Sequence, residues 1–216
     1  MLDTPLYVAC LILAGRRALV VGAGSMAEEK IEGLVACGAE VTVVTRDPDL
    51  RLEELQAAGN VELRRKVYDA SDLEGFFLVV AATNDADLGR RVFDDAEARG
   101  MLVNVADMPE FCNFILPALA RRGPLTVAIS TSGASPALAK RMRDEADTAF
   151  DEAYARLAQI LDDLRPWARS TLADFAARRD FFAAIVNGEP DPIELLRSGS
   201  EDEVLRLIAE AQERVR

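Results

Sequence analysis

The sequence predicts an α/β fold, a parallel, doubly wound sheet followed by a β-hairpin and a helical C-terminal region. Three observations carry that expectation. In "RRALVVGAGSMAEEKIEGLVACGAEVTVVT" nearly continuous apolar runs flank a helical stretch, the pattern of strands buried on both faces. The alternation continues to residue 107 as β-α-β-α-β-β-α-β, an order that requires parallel strands joined by crossovers. Beyond residue 107 the rhythm changes to two β-like runs and then to helices.

Taken in order, residues 6–14 form a short apolar run with no basic residues before it and too little length to span a bilayer. We read it as a buried strand in a cytoplasmic protein. Residues 17–21 are the next strand, followed by a glycine turn, a helix over 24–37 stopped by Gly38, and a strand over 40–45. "LRLEELQAAG" predicts a helix, "NVELRRKVY" a short strand, and "FFLVVAAT" a buried strand ending at Thr83. "NDADLGRRVFDDAEARG" predicts a helix capped by Asn84 or Asp85 and closed by Gly100, before the strand "MLVNVAD".

"FCNFILPALARRGPLTVAISTSG" then predicts a hairpin turning at Arg-Arg-Gly-Pro. One long helix over 135–164 follows, with Ser135 as N-cap and Pro136 at its first position. Pro166 starts another helix, in which Trp167, Phe175, Phe181 and Phe182 fall at roughly helical spacing and read as a core stripe. Pro190 and Pro192 punctuate the chain before a closing amphipathic helix over 200–216. The expected organisation is a nucleotide-binding domain over 1–113, a dimerisation region over 114–150 and a helical region over 151–216. Dimerisation is expected because Phe114, Ile115, Leu116, Val127 and Ile129 exceed what a lone hairpin can bury.

Composition narrows the function. A net charge of -12 argues against a nucleic-acid duplex as the main partner, because phosphate neutralisation needs a basic face. Cys10, Cys37 and Cys112 lack C-x-x-C spacing and sit among apolar neighbours, so they read as reduced packing thiols. With no histidine, most zinc sites and every Ser-His mechanism disappear, and no metal ligands are assigned.

"VVGAGSMAEEK" places Gly22, Gly24 and Ala27 in a G-x-G-x-x-A pattern after a strand and at the start of a helix. Gly22 allows the tight turn, Gly24 lets the main chain approach a pyrophosphate, and Ala27 permits close helix packing. The helix N-terminus supplies N–H donors and partial positive charge. A dinucleotide is therefore the expected ligand, on a Rossmann-like sheet. The acid that holds an adenine ribose belongs about 20 residues on, yet Thr45 stands there, followed by Arg46 and Asp47. Arg46 could accept a 2′-phosphate, whereas Asp47 can reach the ribose from the next turn, and we read the cofactor as NAD. Thr83 and Asn84 stand at the carboxyl edge of the sheet, where ligands bind in open α/β folds. Asp107 follows "LVNVA" onto the same edge. A carboxylate beside a cofactor and sheltered by Val105, Met108 and Phe111 would titrate high and could act as general base; a turn-forming Asp is the alternative.

"PLYVAC", "VVGAGSMAEEKI", "VAATND", "NVADMPEFCNFILPA" and "PLTVAISTSGASPALAKRMR" resemble, in order and spacing, the dehydrogenase module of the siroheme synthase family, over roughly residues 4–150. The resemblance implies a Rossmann domain, a central dimerisation region and a helical C-terminal region. It implies NAD-dependent oxidation of precorrin-2 to sirohydrochlorin, with ferrous iron insertion added in some members. It matches Asp107 to the family's essential aspartate and Ser25, Met26, Arg46 and Asp47 to NAD-contacting positions. The phosphorylatable serine of some members is not carried over, since the corresponding stretch reads Ile129, Ser130, Thr131, Ser132, Gly133.

On that footing, precorrin-2 loses a hydride to the nicotinamide while Asp107 accepts or relays the proton. Iron, where inserted, is held transiently by the macrocycle. Arg121, Arg122, Lys140, Arg141 and Arg143 are candidate clamps for substrate carboxylates. The competing function is a nucleotide-sensing regulatory module like those attached to potassium transporters, which also carry a glycine turn and a "VVAATNDAD"-like strand.

Overall fold

The computed structural model describes residues 5–215 and divides at Leu116 into two units, so both ends of the expected domain map, residues 1–4 and 216, lie outside the described residues. The first unit contains β1 (Arg17–Gly22), α1 (Ser25–Ala36), β2 (Glu40–Thr45), α2 (Leu50–Ala57), β3 (Val61–Arg65), β4 (Leu78–Ala82), α3 (Ala86–Glu97) and β5 (Leu102–Val105). Its strands pair in the order β3-β2-β1-β4-β5, every neighbour parallel. This is the doubly wound sheet the sequence predicts.

Successive residues of a strand face opposite sides of the sheet, so the continuous apolar runs feed two cores. Val20, Val43 and Val80 pack with Ile31 of α1 and Leu52 of α2 on one face. Leu19, Val21, Val79 and Val103 pack with Val92 of α3 on the other. Each buried aliphatic side chain of this size contributes about 1.5–3 kcal/mol relative to exposure. That burial holds the carboxyl edge of the sheet rigid beneath the loops that follow each strand.

One N-terminal expectation fails. Residues 5–13 form no strand, and Tyr7 and Ile12 are 96% and 82% exposed. Apolar content is not a ladder: β1 is already paired on both sides, by β2 and β4, and the segment ends in a turn where Arg16 N–H donates to Leu13 O at 2.9 Å.

In the second unit, β6 (Ala118–Arg122) and β7 (Leu125–Ile129) form the expected antiparallel hairpin, and α4 (Pro136–Ala149) packs on it. α5 (Glu152–Thr171), α6 (Phe175–Val186), α7 (Pro192–Arg197) and α8 (Glu201–Arg214) enclose a core of Leu157, Ile160, Phe181, Ile185, Val204 and Ile208. The long helix expected over 135–164 is two helices. Phe150 leaves the helical region, at φ -102° and ψ 75°, and the Asp151 side chain caps α5 by accepting Ala153 N–H at 3.2 Å.

Pro166 starts no helix and lies inside α5. The new start comes at Asp174, whose side chain accepts Ala177 N–H at 2.8 Å, while the buried Ala168 and the packed Trp167 carry α5 through the proline. Trp167 and Phe181 meet at 5.1 Å with their rings tilted by 46°, and Phe181 meets Phe182 at 5.4 Å, but Phe175 is 73% exposed and leaves the expected stripe.

Candidate functional site

The parallel register aligns the carboxyl ends of four strands. Gly22 of β1 pairs with Ala82 of β4, and Ala81 pairs with Val105 of β5. Gly22, Gly24, Ser25 and Met26 therefore follow β1, Arg46 and Asp47 follow β2, Thr83 and Asn84 follow β4, and Asp107 follows β5, all on one edge of one sheet. Strand order reverses between β1 and β4, where the crevice of such sheets lies.

The glycine turn is built for close approach. Gly22 has φ 124° and Gly24 has φ 87°. α1 begins on Gly24, which has no side chain to cap it, whereas α2 to α7 each begin on an Asp or Ser that accepts a helix N–H. The first-turn amides at exposed Ser25 and half-buried Met26 are thus left for another acceptor, and Ala27 is fully buried against the sheet. These features fit a bound dinucleotide pyrophosphate.

The β2–α2 connection adds a residue that the spacing rule passed over. Asp49 Oδ1 accepts Leu52 N–H at 2.9 Å as the α2 cap, and its Oδ2 accepts Gly24 N–H at 3.0 Å. Pro-Asp before a helical run signals the cap; nothing local signals the reach back across 25 residues. Arg46 and Asp47 are exposed.

After β4, Thr83 Oγ1 accepts Asp85 N–H at 3.1 Å, and Asp85 caps α3 by accepting the N–H groups of Asp87 and Leu88. Of the two candidate caps it is therefore Asp85 that serves, leaving exposed Asn84 outside that role.

Ala106 N–H continues the ladder by donating to Ala81 O at 2.9 Å, and the chain then turns at Asp107, a non-glycine residue at φ 61°. Aspartate tolerates that left-handed conformation better than most residues, at a cost of about 1 kcal/mol. The shelter expected for its carboxylate is not there. Asp107 is exposed, while Val105, Met108 and Phe111 pack into the core of that face. A turn that turns the polar residue outward and its apolar neighbours inward separates the two.

Cys112 braces this turn. Its Sγ lies 3.2 Å from Val105 N and 3.3 Å from both Val105 O and Met108 O. Burial pushes its thiol above the ordinary range, countered in part by the Val105 N–H. It acts as the packing thiol the sequence predicts, with a polar task added.

The basic residues proposed as clamps belong to the second unit. Arg122 pairs with Asp147 at 3.1 Å, Arg141 with Glu145 at 2.8 Å and Arg143 with Asp144 at 2.5 Å. No helix among the described residues is long and apolar enough to cross a membrane.

Comparisons with known proteins give the chain its relatives. A family model described as NAD(P)-binding matches residues 9–118, one described as the sirohaem biosynthesis protein central region matches 122–145, and one described as the sirohaem synthase dimerisation region matches 153–211. The dimerisation description thus falls downstream of the 114–150 segment assigned to that role from sequence. Siroheme synthase of Methylococcus capsulatus is 38% identical over 193 residues, covering 89% of this chain and 40% of that protein. Siroheme synthase of Azotobacter vinelandii is 39% identical over 197 residues, covering 91% of this chain and 42% of that protein. The chain therefore spans about two-fifths of the length of the curated relatives it matches. The solved structure of SirC, a precorrin-2 dehydrogenase, superposes with TM-score 0.78 at 30% identity, covering 95% of this chain and 100% of that one.

Proposed function

The chain belongs to the siroheme synthase family, and from that premise we propose that it oxidises precorrin-2 to sirohydrochlorin with NAD. The observation that carries this reading is the common carboxyl edge, on which the glycine turn after β1 and Asp107 after β5 stand with only β4 between their strands. Bound there, NAD supplies a hydride-accepting carbon.

The chain's own residues supply the rest. The amides at Ser25 and Met26 hold the pyrophosphate, and Gly22 and Gly24 keep the backbone free of side chains where it approaches. Thr83 and Asn84 line the edge between the cofactor and Asp107. An Asp107 carboxylate oxygen takes the proton that the macrocycle releases as its conjugation extends. Exposed in the chain alone, that carboxylate becomes desolvated when the substrate covers it. Two copies associate through the second unit, in the cytoplasm. Ferrous iron is a further substrate: the same carboxylate can accept the pyrrole N–H protons that metal entry displaces.

Absorbance of precorrin-2 mixed with the protein and NAD tests the oxidation, and addition of ferrous iron or cobalt to sirohydrochlorin tests insertion. Conversion of precorrin-2 that depends on NAD and is abolished in Asp107→Ala is the expected result. Undiminished turnover by Asp107→Ala would remove the base assignment. Absence of turnover by the unmodified protein would remove the dehydrogenase reading.

A further inference from the structure

We propose that Asp49 is the acid that holds the adenine ribose and makes the chain select NAD over its 2′-phosphorylated form. The inference rests on the NAD-binding reading above and names the specificity determinant within it. In a doubly wound sheet this acid normally ends the second strand, about 20 residues beyond the glycine turn, and here Thr45 occupies that place. The connection runs on through exposed Arg46 and Asp47 and comes back at Asp49, which is half-buried.

Two hydrogen bonds fix the Asp49 carboxylate. Oδ1 accepts Leu52 N–H at 2.9 Å and Oδ2 accepts Gly24 N–H at 3.0 Å. Capping α2 requires only the first of these. The second spans the gap between β2 and the second glycine of the turn, and it sets a negative charge where a ribose attached to a pyrophosphate on α1 must pass. An ionised carboxylate offers about four lone-pair positions. Two are used by Leu52 and Gly24, which leaves acceptors for the vicinal ribose hydroxyls. A phosphate on the 2′ oxygen would instead meet this carboxylate as a like charge, already anchored and unable to withdraw without breaking both bonds.

The test is direct binding of NAD and of NADP to the full chain by isothermal titration calorimetry, with no turnover needed. Asp49→Asn keeps a cap oxygen and removes the charge. Its NAD affinity is expected to fall about tenfold or more, the loss typical of a hydrogen bond to a charged group, while NADP affinity holds or rises, so that the preference for NAD collapses. Asp49→Ser, a good cap too short to reach the ribose, is expected to give the same collapse and serves if the Asn variant does not fold. Equal losses for both nucleotides, or an unchanged ratio in the variant that folds, reduce Asp49 to a structural cap and overturn the proposal. An unmodified chain that binds neither nucleotide overturns the NAD-binding reading itself, and the inference with it.

Discussion

Gly22 approaches Ala82 so closely that a Cβ placed on it would stand 2.0 Å from the Ala82 carbonyl oxygen. The pair closes the β1–β4 ladder, and Gly22 also holds φ 124°, a backbone conformation that L side chains rarely adopt. Gly22→Ala therefore pays twice, in backbone strain and in a clash with main chain that has no freedom to retreat. A loss of about 2–5 kcal/mol is expected from the sum of these effects. Urea unfolding followed by circular dichroism gives the stability change, and NAD titration of the folded fraction should show weakened binding.

Asp107 puts function and stability in opposition. At φ 61° it occupies a conformation natural to glycine, so Asp107→Gly should raise stability, or at least hold it, within about 1 kcal/mol. Asp107→Ala should lose stability by a similar amount, because alanine lacks the side-chain polarity that eases aspartate into this region. Both variants are expected to lose turnover of precorrin-2. Thermal melts beside the absorbance assay separate the two effects: a glycine variant that is stable and active would show that the strained residue is there for the turn alone.

The thiol of Cys112 offers a chemical check on the same turn. Its Sγ sits within 3.3 Å of Val105 O and Met108 O, and burial raises its pKa. Raised in the folded state, the thiol contributes stability that is complete below the unfolded value of about 8.5 and is lost as pH climbs through the folded value. Iodoacetamide at pH 8 should label the exposed Cys10 quickly and leave Cys112 unmodified until denaturant opens the fold. Mass spectrometry of digested protein reads this directly. Cys112→Ser, which keeps a donor near the two carbonyls, should retain more turnover than Cys112→Ala.

The sheet was legible because parallel strands buried on both faces leave continuous apolar runs that alternate with helical stretches, as in residues 17–21 and 78–82. The glycine turn was legible for a different reason: strand, turn and helix had to coincide there. Hydropathy misled at residues 6–14, since it reports what dislikes water and not whether a backbone has a partner. The break between α4 and α5 was hidden because Phe150 and Asp151 are not breakers by type. Asp151 is recruited by Arg197, whose Nε donates to it at 2.6 Å from 46 residues away, a contact that also holds the carboxyl below its usual range. Asp49 escaped for a similar reason, being a plain helix cap until its second oxygen is followed to Gly24.

Tyr68 shows how far the first unit's rim can be probed by alkali. Its phenol is buried, donates to Asp95 Oδ2 at 3.1 Å, and lies beneath the Arg91 guanidinium, whose Nη2 also donates to Tyr68 O at 3.2 Å. Burial first, then the hydrogen bond to Asp95, pushes the phenol well above its ordinary value. A tyrosine raised in the folded state lends stability that is complete below the unfolded value of about 10 and drains away as pH rises toward the folded one. Tyrosinate absorbance should accordingly include a late stage, above the ordinary tyrosine range, that coincides with loss of the circular dichroism signal. Tyr68→Phe removes the hydroxyl from Asp95 and is expected to cost about 1 kcal/mol at pH 7. It should also abolish the late stage. If that stage persists in the phenylalanine variant, another phenol carries it and Asp95 is not the anchor of this corner.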